Sequence, residues 1–493
     1  MTRNLKIVAL LAFGIAAGCR DSYPTLVPPT NILYYPTGLA VRQMPPDSTD
    51  PKKQYGWSQL VVGNANFDLR FDSTTGGTVV VLDPDAAPDR STGQPFVPLG
   101  AIRTGSFVGE LAMAGGSCPT GGTDWDGWTD CPYACDNLKN DPAIKDGGTK
   151  LIFASRAVPQ QIYRTILKKD GTISCGTNCV FEVPIQQLDP YGVTTVCSTG
   201  VNKPLVAYAF VSQLMATNGL GYMNRVNLLQ DAEPPLPLVM GPYATYASVY
   251  EPERELVFVS SVATDAQFRW FNPLVTVSVV DGFAVPDYTG PSFSSLVPGA
   301  VARDMALSSD GTVLYVTIQM YDLTLAVQTG LFYTQGGGLA IFDLTQSSFG
   351  SPRMALVGLK PTCVGAGQIR RLPARADPID PDLFVITCDQ DGQLVLYDSD
   401  SQRVVRTIGM NPATGLPILG LQPFGIAVEA IDPRRATTPV QGQDYPEDSP
   451  CMVGAECHRI YVSSFMQDWI NVLELMPDFP DGIALVKRIG NGP

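Results

Sequence analysis

Residues 302–317 read ARDMALSSDGTVLYVT and residues 336–345 read GGGLAIFDLT. Each apolar block is five or six residues long, rich in Val, Leu, Tyr, Ile and Phe, and bounded by Ser, Asp and Gly, as short strands are. The same pieces recur along the chain. Runs such as QLVVGNAN (59–66), KLIFASR (150–156), ELVFVSS (255–261), LFVITCD (383–389) and RIYVSSF (459–465) match the first block and end in small polar residues. GTVVVLD (77–83), VTVSVVD (275–281), QLVLYD (393–398) and WINVLE (469–474) match the second and end in an acid. Asp83, Asp281, Asp343 and Asp398 are read as turn residues, because an acid that recurs in every unit serves the fold. PTGLAV (36–41) and PFGIAV (423–428) open units, and glycines close them.

The closing glycines Gly241, Gly299, Gly358, Gly420 and Gly490 stand 58, 59, 62 and 70 residues apart. Gly100 precedes Gly241 by two such periods. Four strands per unit and seven units predict an all-β fold, a β-propeller of seven four-stranded blades with long loops. The strands alternate little, as they must when each sheet is covered on both faces. Residues 31–35 (NILYY) are a candidate extra strand, with ring closure expected from packing of the first and last blades. ARDMALSSDGTVLYVT with GGGLAIFDLT, and PFGIAV with RIYVSSF and WINVLEL, resemble YVTN-type β-propeller repeats over roughly residues 31–493, most weakly over the irregular second and third blades, about 101–241. The resemblance implies the fold and says little about activity.

Composition narrows the function. The 493 residues carry a net charge of −14, which excludes nucleic acid as a partner. A single histidine, His458, removes histidine-rich metal sites and most triad hydrolases. Cys457-His458 lacks the neighbouring cysteine of a c-type haem site.

The amino terminus is an address. Arg3 and Lys6 precede the apolar run Ile7–Ala17, too short to span a bilayer but suited to export. The run ends Ala16-Ala17-Gly18-Cys19, which resembles a bacterial lipoprotein signal (1–19) with Cys19 lipidated; ordinary cleavage with Cys19 incidental is the alternative. Residues 20–30 form a Pro-containing tether. Arg20 in place of Asp favours the outer membrane by the sorting rule of enteric bacteria. The expected partners are therefore the membrane, through the lipid anchor, and a protein or glycan.

Ten cysteines remain, an even number that fits an oxidising compartment. Cys363 with Cys388 and Cys451 with Cys457 are candidate bridges; Cys118, Cys131, Cys135, Cys175, Cys179 and Cys197 allow 15 pairings. Asp124, Asp126 and Asp130 in DWDGWTD have the spacing of part of a calcium loop but lack its first and twelfth ligands, so no cofactor is assigned beyond calcium as a weak candidate. Trp125 and Trp128 in the same loop are a candidate contact surface. The loops leaving the second strands form a candidate binding rim of Asn64, Asn66, Asp68, Arg70, Arg156, Asp389, Asp391 and Asp468, joined by Asp265, Arg269, Gln319, Asp322 and Gln467. Two functions follow: a lipid-anchored binding or scaffold module, or a lactonase-like hydrolase using carboxylates or a metal in the channel. Three or more acids and amides from different blades meeting within about 5 Å in a pocket would favour the hydrolase, and a channel plugged by apolar or small residues the module.

Overall fold

The computed structural model describes residues 27–491, apart from 116–133, 199–205, 263–273, 288–298, 329–333, 374–380, 438–447 and short interruptions of one or two positions. Seven antiparallel sheets follow one another along the chain, each paired in sequence order. Their first strands are Pro36–Met44, Val108–Ala114, Leu188–Cys197, Ala244–Glu251, Ala300–Leu307, Ala366–Arg371 and Pro423–Ile431. Each first strand packs on the first strand of the next blade, and the first and last blades meet, so the seven line a central axis. This is the all-β, seven-bladed propeller the repeats predict, with almost no helix; Pro142–Lys145 is one helical turn.

The core lies between blades. Among the described residues there are seven apolar clusters, one per blade interface. The second strand of blade 1, Trp57–Asn64, is buried along its whole length, as is the third, Gly77–Leu82. The outer strands Arg403–Ile408 and Leu236–Val239 are largely exposed, whereas that of blade 7, Ala484–Gly490, is buried at the seam with blade 1. Sandwiching between neighbours erases the polar alternation of the inner strands, and the outer edge keeps it.

Several details differ from the expectations. Residues 31–35 are not a strand; Leu33 and Asn491 exchange backbone–amide hydrogen bonds of 3.2 and 2.8 Å, and Tyr35 N–H donates to Asp468 at 2.8 Å. Blades 1 and 7 each reach four strands from their own consecutive segments, so the ring closes without a strand there. Gly100 opens its outer strand rather than closing it, Gly358 lies inside one, and Gly420 follows one across a loop. Blade 3 does have an inner strand, Leu188–Cys197, hidden in sequence by Pro190 and Gly192. In blade 2 the outer strand is split into Ile173–Ser174 and Val180–Glu182, and Cys175–Cys179 bridges the gap. Cys135–Cys197 joins the long loop of blade 2 to the inner strand of blade 3. Cys363–Cys388 and Cys451–Cys457 are paired as expected, with Cys363 three residues ahead of the inner strand rather than on it. The recurring acids cap turns: Asp83 accepts from Asp85 and Ala86 N–H, Asp343 from Thr345, and Asp398 from Asp400 and Ser401. Asp281 lies outside the described residues.

Every inner strand carries a β-bulge at the same place, one extra residue against the second strand. The bulge frees an N–H, and in five blades a hydroxyl within the second strand receives it. Ser212, Ser260, Thr317, Thr387 and Ser463 accept from Gly192, Ala247, Asp304, Gln368 and Gly425 at 2.7–3.0 Å. Four of these hydroxyls then donate to the bulge carbonyl of the next blade: Tyr246, Arg303, Gly367 and Phe424. One hydroxyl thus serves two blades. Thr317→Val is expected to cost about 2 kcal/mol by stranding the Asp304 N–H and the Gly367 carbonyl, with Thr317→Ser recovering most of it in denaturant titrations.

Candidate functional site

The bulges decide what fills the axis. Their residue pairs are Thr37-Gly38, Gly109-Glu110, Tyr191-Gly192, Tyr246-Ala247, Arg303-Asp304, Gly367-Gln368 and Phe424-Gly425. Gly38, Gly192 and Gly425 keep the second position bare because the carbonyl of the next blade's bulge occupies the space a Cβ would take. Blades 2, 5 and 6 place Glu110, Asp304 and Gln368 there instead.

These three meet across the axis. Gln368 Nε2 donates to Glu110 Oε1 at 2.7 Å, and Gln368 Oε1 accepts the Ile426 N–H at 2.9 Å. Asp304 Oδ2 accepts from the Ile369 N–H at 3.0 Å and from Arg370 at 2.5 Å. Arg370 also lies 3.8 Å from Glu110. Amides and acids from three blades therefore converge, but around an arginine and in closed packing. The cavity beside Tyr246, Arg303, Asp304, Gln368, Asp389 and Phe424 measures about 10 Å³, room for one water. Above this layer Arg303 stacks over the Tyr246 ring at 4.4 Å, and its Nε has no hydrogen-bond partner among the described residues. Arg156 clasps both oxygens of Asp189 and stacks 5.7 Å from the Tyr191 ring.

Burial, and then the charge of Asp304, push the Glu110 carboxyl up to about 7; Arg370 and two hydrogen bonds oppose the shift only in part. The folded chain thus holds a proton that the unfolded chain, with an ordinary value of 4.5, has released. Stability is greatest below that ordinary value and falls as pH rises through about 7, by up to roughly 3 kcal/mol. Glu110→Gln cannot ionise. Its advantage over the parent in denaturant titrations is expected to grow between pH 5 and pH 8, and an advantage that does not change with pH would refute the assignment.

The candidate rim residues divide. Asn64 and Asn66 are fully buried. Asn64 accepts from Tyr34 N–H and donates to Thr78, and Asn66 braces its loop through Phe71 and Ser106. Asp391 accepts the Val364 N–H. Asp68, Arg70 and Asp468 form an ion-paired trio, with Arg70 2.9 Å from Asp68 and 3.8 Å from Asp468. Arg156 and Asp389 stand at the axis; burial pushes the Asp389 carboxyl up, and Arg303 partly reverses this. Gln319 is buried and accepts from Tyr321, while the Asp322 carboxylate accepts from the Leu325 N–H and Gln467 from the Leu421 N–H. His458 is buried on a second strand, 2.7 Å from Glu456, rather than on a rim. Cys19, Cys118, Cys131, Asp124, Asp126, Asp130, Trp125, Trp128, Asp265 and Arg269 lie outside the described residues. Glu110, Asp304, Gln368 and Arg370 were missed by the rim reading. Their signal in sequence is an acid or amide where other units have Gly or Ala.

No protein-family model and no curated protein matches the chain. Among solved structures it is similar to Kuenenia stuttgartiensis hydrazine synthase, at 11% identity over 92% of this chain and 99% of that one, with a TM-score of 0.45. The periplasmic gluconolactonase PpgL of Pseudomonas aeruginosa is similar at 15% identity over 88% and 96%, with a TM-score of 0.47. The dihydro-heme d1 dehydrogenase NirN in complex with DHE is similar at 13% identity over 92% and 68%, with a TM-score of 0.42. Identities and scores this low carry no argument about activity.

Proposed function

We propose that the chain is an exported lipoprotein of the YVTN-type repeat class, held in the cell envelope by Cys19 and acting as a rigid binding or scaffold module for a protein or glycan. One observation carries this reading. The axis, where propellers house small substrates, is closed by the Glu110–Gln368–Arg370–Asp304 network, with space for a single water. What the fold leaves for function is its surface. Cross-linking the intact protein in its native envelope is expected to recover the same protein or glycan neighbour repeatedly. Recovery of none, together with calcium-dependent turnover of esters or lactones, overturns the proposal.

A channel hydrolase is the second reading. It is favoured by Glu110, whose carboxyl at about 7 matches a general acid or base and which faces groups from two other blades. Turnover that vanishes in Glu110→Gln while the fold persists would select it.

A further inference from the structure

We propose that the loop face from which the amino-terminal tether leaves lies flat on a lipid bilayer. The inference builds on the anchored reading above and adds which side of the disc faces the lipid.

In an antiparallel blade the loops after the second strand and the links between blades emerge on one face. On that face the loop tips carry exposed apolar side chains: Phe67 (54% exposed), Leu69 (44%), Val158 (77%), Leu220 (42%), Leu421 (51%) and Met466 (48%). They come from four neighbouring blades and the link into blade 7, so they form an arc over this face; on the opposite face, among the described residues, Val97, Val453 and Phe479 are exposed without such an aromatic group. Within it Phe67 lies 5.3 Å from Phe465 and 5.7 Å from Phe107, and Tyr35 lies 5.2 Å from Phe465. Tyr35, Leu69 and Phe107 hold left-handed backbone, with φ of 48°, 54° and 60°. Bulky residues seldom adopt it, so their placement on this face is imposed by the fold rather than by slack loops.

The tether supplies the occupant. Leu33, Tyr34 and Tyr35 are pinned to Asn491, Asn64 and Asp468, all at this face between blades 1 and 7. From there the chain runs back to Val27, which is 63% exposed. Cys19 is eight residues further, at most about 28 Å. A lipidated Cys19 therefore holds a bilayer within reach of the apolar arc and keeps its effective concentration high. Aromatic and aliphatic tips then enter the interfacial layer, while Arg70, paired with Asp68 and Asp468, holds the charge of that trio to a net −1. A protein partner would then meet the opposite face or the outer edges.

The test uses the full chain, isolated from its envelope and mixed with vesicles of three parts phosphatidylethanolamine to one part phosphatidylglycerol. A benzoylphenylalanine photoprobe replaces Phe67, or Phe479 on the opposite face. Irradiation is expected to give at least tenfold more lipid adduct from position 67. Adding Leu416→Asp, Leu421→Asp and Met466→Asp, all exposed, is expected to lower that yield at least fivefold with the melting temperature unchanged. Equal labelling at the two positions, or a protein adduct at 67 when the experiment is repeated in the envelope, overturns the proposal. Mass analysis of Cys19 separates the two readings. Lipid on Cys19 with no adduct at 67 removes the face and keeps the anchor; an unmodified Cys19 with an adduct at 67 removes the anchor and keeps the face.

Discussion

Replacing Arg459 by Met is expected to remove about 4 kcal/mol of stability, because it leaves the buried Glu474 carboxylate without its cation and Asp85 with Arg435 alone. Arg459 is 1% exposed. Its guanidinium reaches Glu474 on its own blade at 2.8 Å and Asp85 on blade 1 at 2.6 Å. Arg435 adds a second cation, 2.9 Å from Asp85 and 2.7 Å from the Ser58 hydroxyl, and Ser58 donates in turn to Glu429 at 2.6 Å. Burial alone would raise the Asp85 carboxyl, but Arg459 and Arg435 outweigh it and hold it well below the usual carboxylate range. That part of the stability is present at neutral pH and is lost as pH falls through the folded value. Lys487, on the outer strand of blade 7, donates to the Pro84 carbonyl at 2.8 Å; burial and Arg459 push its amine down to about 8. The network spans the seam where the first and last blades meet without exchanging a strand. Denaturant titration at pH 7 measures the effect. Replacing Arg459, Glu474 and Glu429 together by apolar residues of similar size is expected to recover most of it, since the harm lies in the unpaired charge. A single variant that loses under about 1 kcal/mol would show that the apolar cluster of Leu60, Val62, Tyr461 and Ile470 closes the seam alone.

Gly425→Ala is expected to cost about 3 kcal/mol through overpacking at the same seam. A Cβ on Gly425 would overlap the carbonyl oxygen of Thr37, the bulge residue of blade 1. That oxygen belongs to backbone and cannot swing aside as a side chain would. Gly176, which has open space around its Cβ position, is the control, and Gly176→Ala is expected to change stability by under about 0.5 kcal/mol. Equal effects at the two glycines in thermal unfolding would show that the inner strands do not approach as closely as the ring requires.

The repeated strand blocks announced the blades because short apolar runs bounded by turn residues are a local property. Asp83, Asp343 and Asp398 were readable as turn caps for the same reason: each acts on N–H groups two or three residues ahead. Cys363–Cys388 and Cys451–Cys457 were legible because each pair stays within one blade with no other cysteine nearby in sequence, whereas Cys175–Cys179, also within one blade, lay among six clustered cysteines. Cys135–Cys197 crosses between blades and was one of 15 open pairings. The candidate rim failed differently. Polar residues at the ends of the second strands look solvent-facing in sequence, yet Asn64, Asn66 and Asp391 spend their polar groups on the backbone, as do Ser212, Thr317 and Ser463 inside those strands. For the strand hydroxyls a bulge one strand away creates that demand, and nothing near them in sequence announces it.

Strand content, the number of units and the absence of helical layers were determined by sequence alone, because hydrophobic blocks and turns act over a few residues. Tertiary structure alone decided that the axis is closed. Glu110 and Gln368 are 258 positions apart, and Asp85 and Arg459 are 374 apart. Charges that distant in the chain meet only when the ring shuts, and whether they form a site or a plug depends on the few ångströms left between them.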